Sequence, residues 1–235
     1  MTVALILAAG KGTRFQSPFP KQLVLLNGKS ILEYSLDIVE VLNDIELTML
    51  VIDPSYEETY RAVAKKYSKK IEFCEGGLTR QESVSNGLKG INELILQKES
   101  LKVLIHDSAR PFSRKVFQNV LNKLKTEEAV VPVLKTKDTI YVIKDKEVVD
   151  IPCRDHLFNV QTPQGFSFSA IFDCHKMADK KKMHTFTDDG SLYSTFRRSQ
   201  PAIVAGEQLN FKITDKKDML LGEYYLSKEK KVDKH

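Results

Sequence analysis

Residues 5–22 read LILAAGKGTRFQSPFPKQ. Five apolar residues, Leu5 to Ala9, break into a loop carrying Gly10 and Gly12, which then delivers Arg14 and Lys21. A short apolar run that stops on glycines reads as a buried strand opening into a tight loop, and in a parallel sheet such loops lie at the carboxyl edge where ligands collect. Glycine lacks the Cβ that would keep backbone N–H groups from wrapping phosphate oxygens. Pro18 and Pro20 stiffen the segment and lower the entropic cost of holding Lys21 in place. Two familiar loops are excluded. A GxGxxG fingerprint needs glycine where Phe15 stands, and a GxxxxGK[ST] loop ending in NGKS (27–30) needs glycine where Leu23 stands. A plain turn followed by solvated charges is the competing reading of the two glycines, whereas the sharper one is a polyphosphate site.

Outward from this stretch, apolar runs alternate with amphipathic ones. Residues 3–9, 48–53, 71–75 and 102–107 read as buried strands, and 30–42, 55–67, 80–91 and 113–125 as helices, with Ser30, Ser55 and Ser113 as N-caps. Strand–helix alternation predicts an α/β fold: a Rossmann-like, mostly parallel sheet with helices on both faces. From Val130 the rhythm changes. IYVIKDKEVVDI (140–151) predicts a hairpin turning at Lys144-Asp145-Lys146, within a protruding β-arm at about 134–157. Helices are expected again at 169–179, 188–197 and 215–227, and short strands at 202–206 and 210–214. The whole of 1–235 is expected to be one domain with this appendage.

Composition narrows the class. Lys and Arg number 36 against 31 Asp and Glu, a net +5 that favours small anionic ligands, and no nucleic-acid module is recognisable. Cys74, Cys153 and Cys174 are odd in number and widely spaced, which argues against a disulfide framework or zinc site and for a reducing, cytoplasmic setting. The apolar run near Met1 is too short to span a bilayer and lacks a basic leader, so no membrane association is expected.

LAAGKGTRF followed by PKQ resembles the signature of nucleotidyltransferases that activate sugar and polyol phosphates, PKQ marking the cytidylyltransferase branch. GGLTRQESVSNGL (76–88), HDSARP (106–111), DT (138–139), RDHLFNVQTPQGF (154–166), TDDGS (187–191) and NFKIT (210–214) continue the resemblance in order along nearly the whole chain. The chain is most similar to the 2-C-methyl-D-erythritol 4-phosphate cytidylyltransferase family of isoprenoid biosynthesis, with the ribitol-5-phosphate cytidylyltransferases of wall and capsule synthesis as close relatives. The resemblance implies transfer of CMP from CTP to a polyol phosphate with release of pyrophosphate.

It also implies roles for individual residues. Arg14, Lys21 and Lys212 become the catalytic cations, Lys212 reaching the α-phosphate from the side opposite Lys21. Ala8, Ala9, Gly10, Lys11 and Gly12, with Gly76, Arg80 and Ser83, surround the nucleotide. Asp107 ends the run KVLIHD and faces the polyphosphate through Mg²⁺, the hard cation that takes carboxylate and phosphate oxygens. Asp107, Arg110, Thr139, Arg154, Thr162 and Thr187 meet the polyol phosphate. The arm is implied to cross to a second copy, making a homodimer in which Arg154 completes the partner's site; a hairpin with one apolar face cannot shield itself. His106 is read as structural, because the attacking phosphate oxygen is already an anion and needs no base. Asp188 and Asp189 suit either a second metal or a helix start.

Departures from the family pattern cluster around the acceptor. DIPCRDHL (150–157) looks more like the ribitol-phosphate enzymes, Gly190 replaces a common alanine, Ser194 a common glutamate, and VAG (204–206) a frequent VEG. Methylerythritol phosphate is the favoured acceptor and ribitol 5-phosphate the alternative. A non-catalytic nucleotide-binding module is the remaining rival, and it predicts loss of the very cations that are present.

Overall fold

A computed structural model describes residues 1–10, 12, 15 and 19–232. Among the described residues, seven helices surround one large sheet. Strands β1 (Thr2–Leu7), β4 (Leu47–Ile52), β5 (Lys70–Glu75) and β6 (Lys102–Asp107) form its parallel half in the order β5-β4-β1-β6. The other half comprises β7 (Ala129–Lys135), β10 (Phe158–Val160), β11 (Gln164–Ser167) and β12 (Ala202–Ala205). There β11 lies antiparallel between β6 and β7, β10 also runs against β7, and β12 runs parallel to β7. Two small ladders stand apart: β2 (Leu25–Leu26) with β3 (Lys29–Ser30), and β8 (Val142–Lys144) with β9 (Glu147–Asp150).

Alternation along the strands sorts the core into two layers, as the period of two requires. Val3, Leu5 and Leu7 of β1 and Val103 and Ile105 of β6 face α3 (Arg80–Leu94), α5 (Phe168–Lys180) and α6 (Asp189–Arg197). Ala4, Ile6 and Leu104 face the opposite way, onto α1 (Ile31–Glu40), α2 (Glu57–Ala64) and α4 (Arg114–Lys123). A third, smaller cluster gathers Phe15, Leu26, Ile31 and Ile213 beneath α7 (Lys216–Val232). Contact between layer and sheet is close: a Cβ at Gly87 of α3 would come within 2.2 Å of Leu5 Cδ1.

The four early strands and the helices between them fall where the hydrophobic pattern places them. Ser30 caps α1 through a full capping box with Glu33. Ser55 does not cap α2. Asp53 takes the N–H of Ser55 on its carboxylate and opens a single 3-10 turn over Pro54–Tyr56 before the helix, the habit of an Asx residue ahead of proline. Ser113 holds the N-cap position of α4 but bonds no helix N–H, its hydroxyl turning instead to Glu207. Residues 210–214, expected as a strand, follow a bend at Asn210 and join no sheet among the described residues. Ile213 N–H donates to Ala109 O, and Phe211 and Ile213 pack in the cluster under α7, so their apolar spacing reflects helix packing rather than a strand.

The hairpin turns at Asp145 and Lys146, both at positive φ, as two-residue hairpins demand. Among the described residues its strands pair only with each other, and Ile143, Val148, Val149 and Ile151 are each more than half exposed. No helix among the described residues is long and apolar enough to cross a membrane.

Candidate active site

The loops that follow β1, β5 and β6 open at one edge of the sheet and, with residues 212–214, enclose a cleft of about 500 Å³. The loop after β1 explains its glycines. Gly12 has φ +58°, and a Cβ there would stand 3.3 Å from Cβ and Cγ of Lys21. Gly10 lies as close to Gln22, whose Nε2 donates to Gly10 O at 3.1 Å. The bare backbone thus lets the loop close on the stems of Lys21 and Gln22. Lys21 begins a short 3-10 turn after Pro20, is buried, and donates from Nζ to Ile213 O at 2.6 Å. Lys11 and Arg14 lie outside the described residues.

The second wall is the turn 76–79 and the start of α3. Gly76 is seated where a Cβ would meet Ala9 Cβ at 2.2 Å, so the two loops touch because neither carries bulk. Thr79 and Glu82 form a capping box, which fixes Arg80 as the first helical residue. The positive end of α3 therefore borders the cleft, a setting that favours phosphate. Ser83 Oγ donates to Thr79 O at 2.9 Å and accepts from Gly77 N at 3.0 Å. Its only proton is spent on shaping this turn, which leaves the hydroxyl able to accept but not to donate.

Charges converge on Asp107, at the end of β6. Arg80 Nε donates to Oδ1 at 3.0 Å and Lys212 Nζ to Oδ2 at 2.6 Å. Burial pushes the Asp107 carboxyl up, but Arg80, Lys212 and Arg110 outweigh burial and hold it well below the usual carboxylate range. Arg80 is not the exposed helix residue its sequence position allows: its Nη1 also reaches Asp189 Oδ2 at 2.9 Å. Asp188 caps α6 by accepting from Ser191 N, and Asp189 is buried in its ion pair, so TDD forms a helix start. Among the described residues no cluster of three His, Cys, Asp or Glu could hold a metal on its own.

His106 is fully buried beside Asp107. Arg110 O lies 3.1 Å from His106 Nε2 and can only accept, so the ring carries its proton on Nε2. Nδ1 of the neutral ring then accepts from Thr162 Oγ1 at 3.1 Å, and Thr162 Oγ1 accepts in turn from Asp107 N at 3.1 Å. Burial pushes this imidazole down to about 3. Neutral and fully bonded, it braces the carboxyl end of β6.

Ala9, Gly10, Gly12, Lys21, Arg80, Ser83, Asp107 and Lys212 all line the cleft, whereas Ala8, fully buried, and Gly76, seated against Ala9, do not line it. The remaining expected contacts are elsewhere in this chain. Arg110 donates to Asn210 O, Thr162 is buried in the histidine bracket, Thr187 is exposed ahead of α6, and Thr139 and Arg154 stand on the exposed arm. Arg154 Nη1 donates to Lys137 O at 3.3 Å. Gln22, Gly77, Leu78, Thr79, Ala109 and Thr214 line the cleft without having been singled out from sequence. The motifs GGLTR and NFKIT, read for every position rather than their charged members, carry the signal for four of them.

Comparison with known proteins gives this cleft a family. Residues 2–228 match the family model of 2-C-methyl-D-erythritol 4-phosphate cytidylyltransferase (IspD). Enzymes of that name from Thermosipho melanesiensis and Clostridium beijerinckii are 37% and 39% identical, over 94% and 96% of this chain and 96% and 98% of theirs. Among solved structures, 4-diphosphocytidyl-2C-methyl-D-erythritol synthase from Anaerococcus prevotii superposes with a TM-score of 0.83 at 33% identity, covering 96% of each chain. The cytidylyltransferase from Thermus thermophilus does so with a TM-score of 0.75 at 28% identity, covering 95% of this chain and 98% of that one. On matches of this extent, the chain belongs to the 2-C-methyl-D-erythritol 4-phosphate cytidylyltransferase family, nucleotidyltransferase enzymes of isoprenoid biosynthesis.

Proposed function

We propose that the phosphate monoester oxygen of 2-C-methyl-D-erythritol 4-phosphate attacks the α-phosphorus of CTP in this cleft. A new P–O bond forms as the bond to the bridging oxygen of pyrophosphate breaks, giving CDP-methylerythritol. The observation that carries the reading is the placement of Lys21 and Lys212, from separate segments, in one cleft walled by bare glycine loops and a helix N-terminus. The nucleophile is already anionic, so the barrier is repulsion between two anions and charge gathering on the equatorial oxygens. Fixed cations answer that barrier directly, because they need no reorganisation when the charge develops. Lys21, Lys212 and Arg14 take this role. Backbone groups of 10–12 hold the triphosphate, and those of 76–79 read the cytosine, whose donor–acceptor pattern at the pyrimidine 4-position is the reverse of uracil's.

A divalent ion, which we take to be Mg²⁺, fits Asp107. One carboxylate with phosphate oxygens completing the shell is how Mg²⁺ is commonly held, and Asp107 is the carboxylate that faces the cleft. Bound there, the ion neutralises charge on the phosphate oxygens. The exposed apolar hairpin supports pairing of two copies through residues 134–157, with Thr139 and Arg154 reaching the neighbour's acceptor site together with Arg110, Thr162 and Thr187. The reading places the enzyme in the cytoplasm.

Pyrophosphate release from CTP and Mg²⁺, measured with methylerythritol 4-phosphate and with ribitol 5-phosphate in parallel, tests the assignment. Preference for the first acceptor is expected. Preference for the second would reassign the substrate, and release with neither would refute transferase chemistry.

A further inference from the structure

A line of ionic contacts runs from the cleft wall into the core. Arg80 shares its guanidinium between two carboxylates, with Nε on Asp107 and Nη1 on Asp189. The second carboxylate is sealed. Asp189 is 1% exposed, its backbone N–H donates to Gln164 Oε1 at 3.1 Å, and its Oδ1 lies 3.2 Å from Nε2 of His175, which is also 1% exposed. A carboxylate only accepts, so His175 carries its proton on Nε2, while Nδ1 is buried without a partner among the described residues. Neither Asp189 nor His175 lines the cleft.

Stability alone is a poor account of this arrangement. Desolvating a carboxylate, a guanidinium and an imidazole together costs about as much as the pairing returns, and apolar residues of similar size commonly serve as well. The geometry offers another account. Asp107 and Lys212 face the cleft, where an incoming metal–triphosphate competes for both. Asp189 and His175 face no ligand, so their hold on Arg80 persists whatever happens at Asp107.

We propose that Asp189, itself held by His175, is a buried anchor that keeps the Arg80 guanidinium against Asp107 while Asp107 and Lys212 exchange partners with the bound nucleotide. Both are positioning residues, acting through Arg80, and the inference rests on the CTP reading above. The test combines calorimetric titration of CTP with Mg²⁺, steady-state kinetics and melting curves on the full chain. Asp189→Asn is expected to weaken CTP·Mg binding about tenfold, the scale of one charge-assisted hydrogen bond. His175→Ala should weaken it in the same direction. His175→Gln, whose amide can still donate to Asp189, should recover most of the loss. In an Arg80→Met background the Asp189→Asn change should add nothing, because its route of action is gone. Wild-type affinity and KM in Asp189→Asn, with only a lowered Tm, would reduce Asp189 to a structural residue and overturn the anchor. So would an undiminished effect in the Arg80→Met background. Failure of the wild-type chain to bind CTP would remove the functional reading and the anchor with it.

Discussion

His106 tests whether the structure at the end of β6 is understood. The ring is fully buried, accepts from Thr162 on Nδ1 and donates to Arg110 O from Nε2, an arrangement that only the neutral imidazole satisfies. Its pKa falls from the ordinary 6.5 to about 3, and burial is the main cause. Because the folded value is the lower one, the unfolded chain binds more protons throughout the interval between the two. Stability is therefore complete above 6.5 and declines as pH drops toward 3, at about 1.4 kcal/mol per pH unit. Between pH 7 and pH 5 this single group should remove about 2 kcal/mol. Urea unfolding at pH 7, 6.5, 6, 5.5 and 5, followed by far-UV circular dichroism, measures the decline. The same series on His106→Gln should be shallower by that amount over the same two pH units, even if the variant starts out less stable. Equal slopes in the two proteins would mean that His106 is charged or solvated in the folded state, and the bracket through Thr162 and Arg110 would be wrong. The folded enzyme's pH–rate profile should lack any limb that His106→Gln abolishes, since no proton passes through this ring.

Three further outcomes follow from the geometry. Lys21→Met should lower kcat roughly 10²–10³-fold, the usual size of losing one transition-state donor, and leave a cooperative thermal transition; a wild-type rate would remove the mechanism. Gly76→Ala drives a methyl to 2.2 Å from Ala9 Cβ, so one loop must move; a loss of about 1–3 kcal/mol in unfolding free energy with a raised KM for CTP is expected, and an unperturbed KM would show that the loops are not apposed in solution. On the proposed pairing of two copies through the arm, Ile143→Lys and Val149→Lys should leave monomers in sedimentation velocity, and an unchanged oligomeric state would take the arm out of assembly.

Much of the molecule was legible in advance because its signals are local. Short, mostly apolar runs with amphipathic stretches between them specify buried parallel strands and their covering helices, and Ser30 with Glu33 marks the start of α1 within the chain's own neighbourhood. The two glycines after β1 announced a loop at the carboxyl edge, and the ordered motifs announced its chemistry. The strands β10 and β11 were not legible. FNV favours a strand but is only three residues long, QGFS carries little strand propensity, and Gly165 sits in the sheet because Val120 of α4 and Leu124 just after it leave room for nothing larger. NFKIT misled in the opposite sense, showing alternation that serves a helix rather than a ladder.

The run of early strands and covering helices along the chain, and the glycine loop that follows β1, were determined by sequence alone, since each depends on residues a few positions apart. Tertiary structure decided which groups meet. Lys21 finds a carbonyl 192 positions away, Lys212 reaches Asp107 across 105, and Arg80 spans 109 to Asp189. No local pattern encodes such pairs, because they exist only after desolvation makes an unpartnered charge too costly to leave alone.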